Sequence, residues 1–515
     1  ETIENIQGNF VWAMDSETLF YTTLDSNHRP DKVFRHTLNT SPKQDELIYQ
    51  EKDSGFFVGL DRTESNRFIL ISVHDHTTSE LHYLDAYQPK QAIKLFQARY
   101  TDIEYSITDH SDSWYITTNA DGCADYKIMC APIENTQREH WKDFYVPATG
   151  TLLQGLYMFQ NHMVRYERYQ GLPKIIIASL DSNEPEFAIE FDEEAYELGI
   201  DPGLEFESTN VRYSYTSMTT PSQVFDFDMQ RRTRELRKQQ EVPSGHDPKD
   251  YVTKRIFARA QDGTNIPISL LYKRDTPLDG SAPLLLYGYG SYGSSMPASF
   301  STTRFSLVNR GYIYAIAHIR GGMELGYAWY TDGKLKNKKN TFTDFISAGE
   351  HLAETKYTTS GNITAHGGSA GGMLIGAVVN LQPDLFHGAI ADVPFVDVLN
   401  TMSDDSLPLT PPEWPEWGNP IIQQEAYHYI KSYSPYDNVR AQDYPHILIT
   451  AGLTDPRVTY WEPAKWTAKL RDTKTDNNVV LLKTNMDSGH AGASGRFDSL
   501  KEVALMYAFV LKLRK

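Results

Sequence analysis

Short runs of β-type residues recur along the first half of the chain with a period of about 48 residues. They are Leu19-Phe20-Tyr21, Arg67-Phe68-Ile69, Ser113-Trp114-Tyr115, His162-Met163-Val164 and Asn210-Val211-Arg212. A second run follows each about 13–15 residues later, at Val33-Phe34, Leu81-His82, Ile128-Met129, Ile175-Ile176 and Val224-Phe225. Turn-forming stretches such as Asp25-Ser26-Asn27 and Asn119-Ala120-Asp121-Gly122 separate the two. Strand pairs repeating every 40–50 residues or so are what β-propeller blades produce, each sheet burying both faces against its neighbours. An irregular β-rich domain with coincidental spacing is the competing reading, and two features keeping one period over five units weigh against it. Residues 1–243 are therefore read as five propeller blades.

The pattern changes after Arg231-Arg232-Thr233-Arg234 and the turn-rich Pro243-Ser244-Gly245. Apolar strands now alternate with amphipathic helices. Strands are expected at 284–287, 312–317, 363–366, 388–391, 446–450 and 479–483, and helices at 341–355, 371–381, 462–471 and 498–513. This alternation implies a largely parallel sheet, with active loops at its carboxyl edge, over residues 244–515.

A formal charge of −18 argues against nucleic acid and favours cationic ligands, although solubility alone would also explain it. The basic run Lys334–Lys339 is read as a solvated loop. No apolar run approaches the roughly 18 residues of a membrane span. The two cysteines, Cys123 and Cys130, are too few for a disulfide framework and match no zinc pattern. Together with the lack of a secretory pattern they point to the cytoplasm. A removed leader stays open, because the chain does not begin with Met.

The chemistry concentrates in the second half. Gly367-Gly368-Ser369-Ala370-Gly371 fits the nucleophile elbow G-x-S-x-G, with a strand before it and an apolar helix after. Asp455 follows strand 446–450 at its carboxyl end, and His490 follows the last strand in Asp487-Ser488-Gly489-His490. The order Ser, Asp, His is that of α/β-hydrolases. Ser369 is expected as nucleophile, His490 as proton shuttle and Asp455 as its orienting partner. The N–H of Ala370 would donate to the oxyanion, with a tyrosine hydroxyl from Tyr287–Gly293 as second donor.

From about Asn9 onward the sequence resembles the oligopeptidase B branch of the prolyl oligopeptidase family. The resemblance rests on Tyr287–Gly293, Arg320-Gly321-Gly322, Gly367–Gly372, Trp417-Gly418-Asn419-Pro420, the segments 431–439 and 460–466, and Asp487–His490. It implies a seven-bladed propeller covering an α/β-hydrolase domain and cleavage of short basic peptides after Arg or Lys, with no cofactor. It places the second oxyanion donor on Tyr289 and the acid of the P1 pocket on Glu413. Phe395 and Tyr292 become the pocket walls and Arg457 holds a substrate carbonyl, while Glu416, next to the position where relatives carry a second glutamate, is read from its place as a further acid that partly substitutes for Glu413. Taken alone, Glu413 would read as a surface charge.

Four departures stand out. Pro415 occupies the place of a second glutamate, Met296-Pro297-Ala298-Ser299 lacks the acids that favour a basic P2 residue, and Ala491 replaces the glycine after the histidine. Only five blades are visible, so about 160 further residues, on this or another chain, are expected to complete the propeller. Two other functions remain compatible with the motifs. One is post-proline cleavage, with Trp414 stacking on the proline ring. The other is an inactive propeller interaction protein.

Overall fold

The computed structural model describes residues 2–4, 6–182, 184–495 and 497–513. Residues 6–239 form five four-stranded antiparallel sheets, each built from consecutive strands. The two runs read from the sequence are the second and third strands of each blade, such as Phe68–His74 and Ser79–Asp85 in blade 2. The outermost strands escaped the reading because they are short or largely exposed. That of blade 4 is Phe187–Ala188, and that of blade 5, Thr233–Gln239, is exposed throughout.

Period-two alternation sends successive residues of a strand to opposite faces. In blade 2, Ile69 and Ile71 pack with Phe20 and Val33 of blade 1, while Phe68 and Leu70 pack with Ile107, Trp114 and Ile116 of blade 3. In the same way Ile128 joins Leu153 and Met163, and Val164 joins Tyr196 and Val211. Every interior blade is thus a shared wall between two apolar cores. Blade 1 carries Phe10, Trp12 and Leu47 partly exposed on the side away from blade 2.

The second half folds into one eight-stranded sheet. Its strands are β1 (Tyr251–Arg259), β2 (Asn265–Lys273), β3 (Leu284–Tyr287), β4 (Ile313–Ala317), β5 (Ile363–Gly368), β6 (Phe386–Asp392), β7 (His446–Gly452) and β8 (Val480–Asn485). Their order is β1-β2-β4-β3-β5-β6-β7-β8, antiparallel up to β4 and parallel beyond. The helices that matter for the site are α1 (Lys339–Glu354), α2 (Ala370–Leu381), α3 (Thr410–Trp417), α4 (Trp461–Thr473) and α5 (Asp498–Leu513). The six strands from β3 onward follow the sequence reading. β1 and β2 do not, and in β2 Pro267 breaks the expected pattern. Its carbonyl nevertheless accepts the His318 N–H at 2.9 Å, so the missing donor costs the ladder little.

α3 was also missed, since three of its eight residues are proline. Pro411 and Pro412 occupy its first turn, where no backbone donor is needed, and Gly418 with φ +98° ends it. The basic run after β4 was misread too. Lys336 and Lys339 are exposed, whereas Lys334 and Lys338 are buried.

The propeller cores make a measurable claim. Trp114 is fully buried against Phe68, Tyr83 and Phe96, with ring centroids 4.6–5.4 Å away. Trp114→Ala should lower stability by about 3–5 kcal/mol, read as a fall in the urea midpoint of the propeller transition. An unchanged midpoint would contradict the shared-wall packing.

Candidate active site

β5 runs through the middle of the sheet and ends in a turn where Ser369 adopts φ +58° and ψ −120°. This is a strained conformation for a residue with a side chain, and it lifts the hydroxyl above the sheet edge. Two glycines make the turn possible. A Cβ on Gly367 would lie 2.4 Å from the Gly371 carbonyl oxygen, and one on Gly371 would lie 2.9 Å from that of Gly288. The elbow therefore packs directly against the loop 288–293. Ser369 N–H donates to Asp392 O at 2.8 Å, tying the turn to β6.

The structure brings Ser369, Asp455 and His490 together from three separate loops. His490 Nε2 lies 3.0 Å from Ser369 Oγ, and His490 Nδ1 lies 2.7 Å from Asp455 Oδ2. Asp455 is buried, and its Oδ1 accepts the N–H groups of Arg457 and Val458 at 2.8 and 3.0 Å. Those bonds hold the carboxylate still while leaving Oδ2 for the imidazole.

Ala370 is the first residue of α2, so its N–H has no acceptor within the helix. Tyr289 borders the same cavity as Ser369 and Ala370. Burial pushes its hydroxyl up to about 12, and it stays a neutral donor across the physiological range. Arg457 also borders this cavity. It is exposed, and no partner for its guanidinium is found among the described residues.

The cavity has a volume of about 410 Å³ and an acid in its wall. Glu413 Oε2 accepts the Tyr292 hydroxyl at 2.7 Å and Trp417 Nε1–H at 2.9 Å. Both donors converge on one oxygen, and Oε1 accepts no hydrogen bond among the described residues. Burial raises the Glu413 carboxyl above its usual range, while its donors and the nearby His76 pull it down. Phe395 completes this wall against Trp417, with ring centroids 5.5 Å apart.

Glu416 does not belong to the cavity. It is fully buried on another face of α3, and its carboxylate accepts the Tyr292 N–H at 3.0 Å and the Tyr330 hydroxyl at 2.6 Å. With an internal donor on each oxygen and no face on the cavity, Glu416 cannot reach a substrate there, which corrects its expected binding role. Beside it Lys338 Nζ donates to Gly290 O at 2.6 Å and Ser291 Oγ at 2.8 Å. Burial lowers this ammonium to about 8. Trp414 is likewise turned away, donating Nε1–H to Met402 O and lining a different cleft. Trp417 was missed by sequence reasoning. Its spacing of four from Glu413 would have exposed it had α3 been recognised.

An eight-stranded sheet of this crossover order, with Ser, His and Asp linked at its carboxyl edge, defines an α/β-hydrolase of the serine type. Comparison with known proteins narrows the class. The Prolyl oligopeptidase family matches residues 298–515, and its N-terminal beta-propeller domain matches residues 1–240. Dipeptidyl aminopeptidase BI of Pseudoxanthomonas mexicana is 44% identical, the match spanning 99% of this chain and 70% of that protein. Protease 2 of Moraxella lacunata is 40% identical over 98% of this chain and 72% of its own. Oligopeptidase B from Trypanosoma brucei, solved in a closed form with covalently bound antipain, superposes with a TM-score of 0.95. That match has 40% identity and covers all of this chain and 74% of that one. The chain belongs to the prolyl oligopeptidase family and is a serine peptidase.

One buried acid gives the site a pH signature. Glu462, in the first turn of α4, accepts Asp397 N–H at 2.9 Å and Thr401 Oγ1–H at 2.6 Å, bracing the segment after Phe395. Burial raises its carboxyl to about 7. Between about 4.5 and 7 the folded state holds a proton that the unfolded state has lost, so stability falls as pH rises and levels off above 7. Glu462→Gln should remove this slope, on the order of 3 kcal/mol, in urea midpoints measured from pH 4.5 to 8. An unchanged slope would assign it to other groups.

Proposed function

We propose that this peptidase hydrolyses short peptides on the carboxyl side of Arg or Lys through an acyl-enzyme intermediate. The observation that carries the reading is Glu413, a desolvated carboxylate with one oxygen left to a cavity that also holds Ser369. A cation entering such a pocket regains in one ion pair much of what it loses in hydration, whereas a neutral side chain leaves the carboxylate unpaired.

In this reading Ser369 Oγ attacks the scissile carbonyl carbon while His490 Nε2 takes its proton. Asp455 stabilises the resulting imidazolium. The negative charge that develops on the carbonyl oxygen is met by Tyr289 O–H and Ala370 N–H. Collapse of the tetrahedral adduct breaks the C–N bond, and His490 returns the proton to the leaving amine. Water then repeats the sequence in reverse on the Ser369 ester, freeing the new carboxyl group. Arg457, unpaired at the rim, would hold a backbone carbonyl of the substrate. The two unpaired thiols, Cys123 and Cys130, fit a reducing compartment, and we place the chain in the cytoplasm on that ground. No second reading is favoured by an observation of equal weight, since Trp414 lies outside the cavity.

Two measurements test the proposal. Tyr289→Phe removes a donor used mainly in the transition state, so kcat should fall about 10²–10³-fold with KM little changed. A pure KM effect would move Tyr289 into ground-state binding. Glu413→Gln keeps the shape of the pocket but strands the substrate cation. kcat/KM on Arg and Lys substrates should fall roughly 30- to 1,000-fold, with a much smaller loss on a neutral P1 substrate. Equal losses on both would mean that Glu413 supports α3 rather than reading charge. Running each substrate with a free and a blocked amino terminus separates internal cleavage from removal of terminal dipeptides.

A further inference from the structure

The pocket built around Glu413 is not complete within the hydrolase domain. The same cavity is bordered by Phe57 and His76, both from blade 2 of the propeller and more than two hundred residues earlier in the chain. His76 sits at the tip of the hairpin between strands Phe68–His74 and Ser79–Asp85. That tip is rigid. Asp75 Oδ1 accepts the N–H groups of Thr77 and Thr78 at 2.8 and 2.7 Å, and Asp75 N–H donates to Thr78 O at 3.1 Å. Asp75 thereby folds back on its own turn and leaves the imidazole to project toward the hydrolase domain.

There His76 lies over Tyr292, with ring centroids 5.7 Å apart and planes inclined by 35°. Tyr292 is the residue whose hydroxyl is bonded to Glu413. When protonated, His76 is close enough to favour the Glu413 carboxylate. Trp417 covers a different side of Tyr292, at 5.6 Å and nearly perpendicular. The pocket thus has a floor and two walls from the hydrolase domain and a cover from the propeller.

We infer that His76 is a specificity-determining residue, a propeller-borne cover over the P1 pocket that keeps water from Glu413 while a basic side chain occupies it. This rests on the assignment of Glu413 to a P1 cation. Its physical basis is the dependence of an ion pair on its surroundings: the same pair weakens several-fold in energy when water is admitted beside it. A consequence follows for the two-domain design. Selectivity for Arg or Lys is assembled only when blade 2 is apposed to the catalytic face, so a substrate that holds the domains apart is read less strictly. A merely structural role for His76, filling space at the domain boundary, would affect all substrates alike.

The test compares His76→Phe, His76→Ala and His76→Lys in the full chain. Substrates that differ only at P1, Arg against a neutral residue, are used, with rates normalised to sites titrated by a fluorophosphonate. The readout is the ratio of the two kcat/KM values. His76→Phe keeps a ring over Tyr292 and should hold the ratio within about threefold. His76→Ala opens the cover and should lower it about tenfold. His76→Lys sets a permanent cation beside Glu413 and should lower it by about a hundredfold. A ratio unchanged in the alanine variant, or equal losses on both substrates, would overturn the inference. Should the lysine variant not fold, the alanine and phenylalanine variants still decide. A parent enzyme with no preference for Arg would instead overturn the reading of Glu413, which separates the two failures.

Discussion

Catalytic geometry and the proposed reading of substrate both depend on the loop 288–293, and that loop is held by two buried charges. Lys338 takes the Gly290 carbonyl and the Ser291 hydroxyl, and Glu416 takes the Tyr292 N–H. Both ions are fully buried. A buried charge stripped of its partners costs several kcal/mol, so the loop cannot relax without leaving one of them unpaired. This is what maintains Tyr292 at φ +58°, a conformation that a residue with a side chain has little local reason to hold. Tyr289 is thereby held beside Ser369, and the Tyr292 hydroxyl is delivered to Glu413.

α3 couples the two functions. Glu413 and Glu416 are three residues apart, and Trp417 follows Glu413 by four, so all three project from neighbouring positions of one helix. Glu416 faces inward and fixes Tyr292 by its backbone, while Glu413 and Trp417 meet the Tyr292 side chain at the cavity wall. Two acids of the same type and nearly adjacent in sequence are placed differently, because Glu416 holds an internal donor on each oxygen away from the cavity, whereas both donors to Glu413 converge on Oε2 at the cavity wall.

The propeller is more than a screen over this face. Asp125 of blade 3 accepts the Tyr327 N–H at 2.7 Å, and Tyr126 packs edge-on against Tyr327, at 6.0 Å between ring centroids. Tyr330, three residues on, bonds Glu416. A contact between the domains is therefore two side chains away from the charge that positions the catalytic loop. The blades that make these contacts are rigid for a simple reason: each shares its apolar faces with both neighbours, and a shift of one would open two cores.

Much of this was legible in the sequence, because regular periodicity and local motifs depend on residues close together in the chain. The blade period, the parallel strands from β3 onward and the elbow at Ser369 all followed from alternation, length and glycine placement. What failed were elements whose conformation is imposed from outside. β2 contains Pro267, α3 contains three prolines, and the run Lys334–Lys339 carries four lysines, yet tertiary contacts make them a strand paired on both sides, a helix and the site of two buried cations. The same limit applied to roles. Sequence could name Glu413 and Glu416 as acids, but only the packed structure decided which one borders the cavity, because burial is set by neighbours distant in the chain. His76 marks that limit most clearly. Nothing local distinguishes it, and its place beside Glu413 exists only because one domain closes over another.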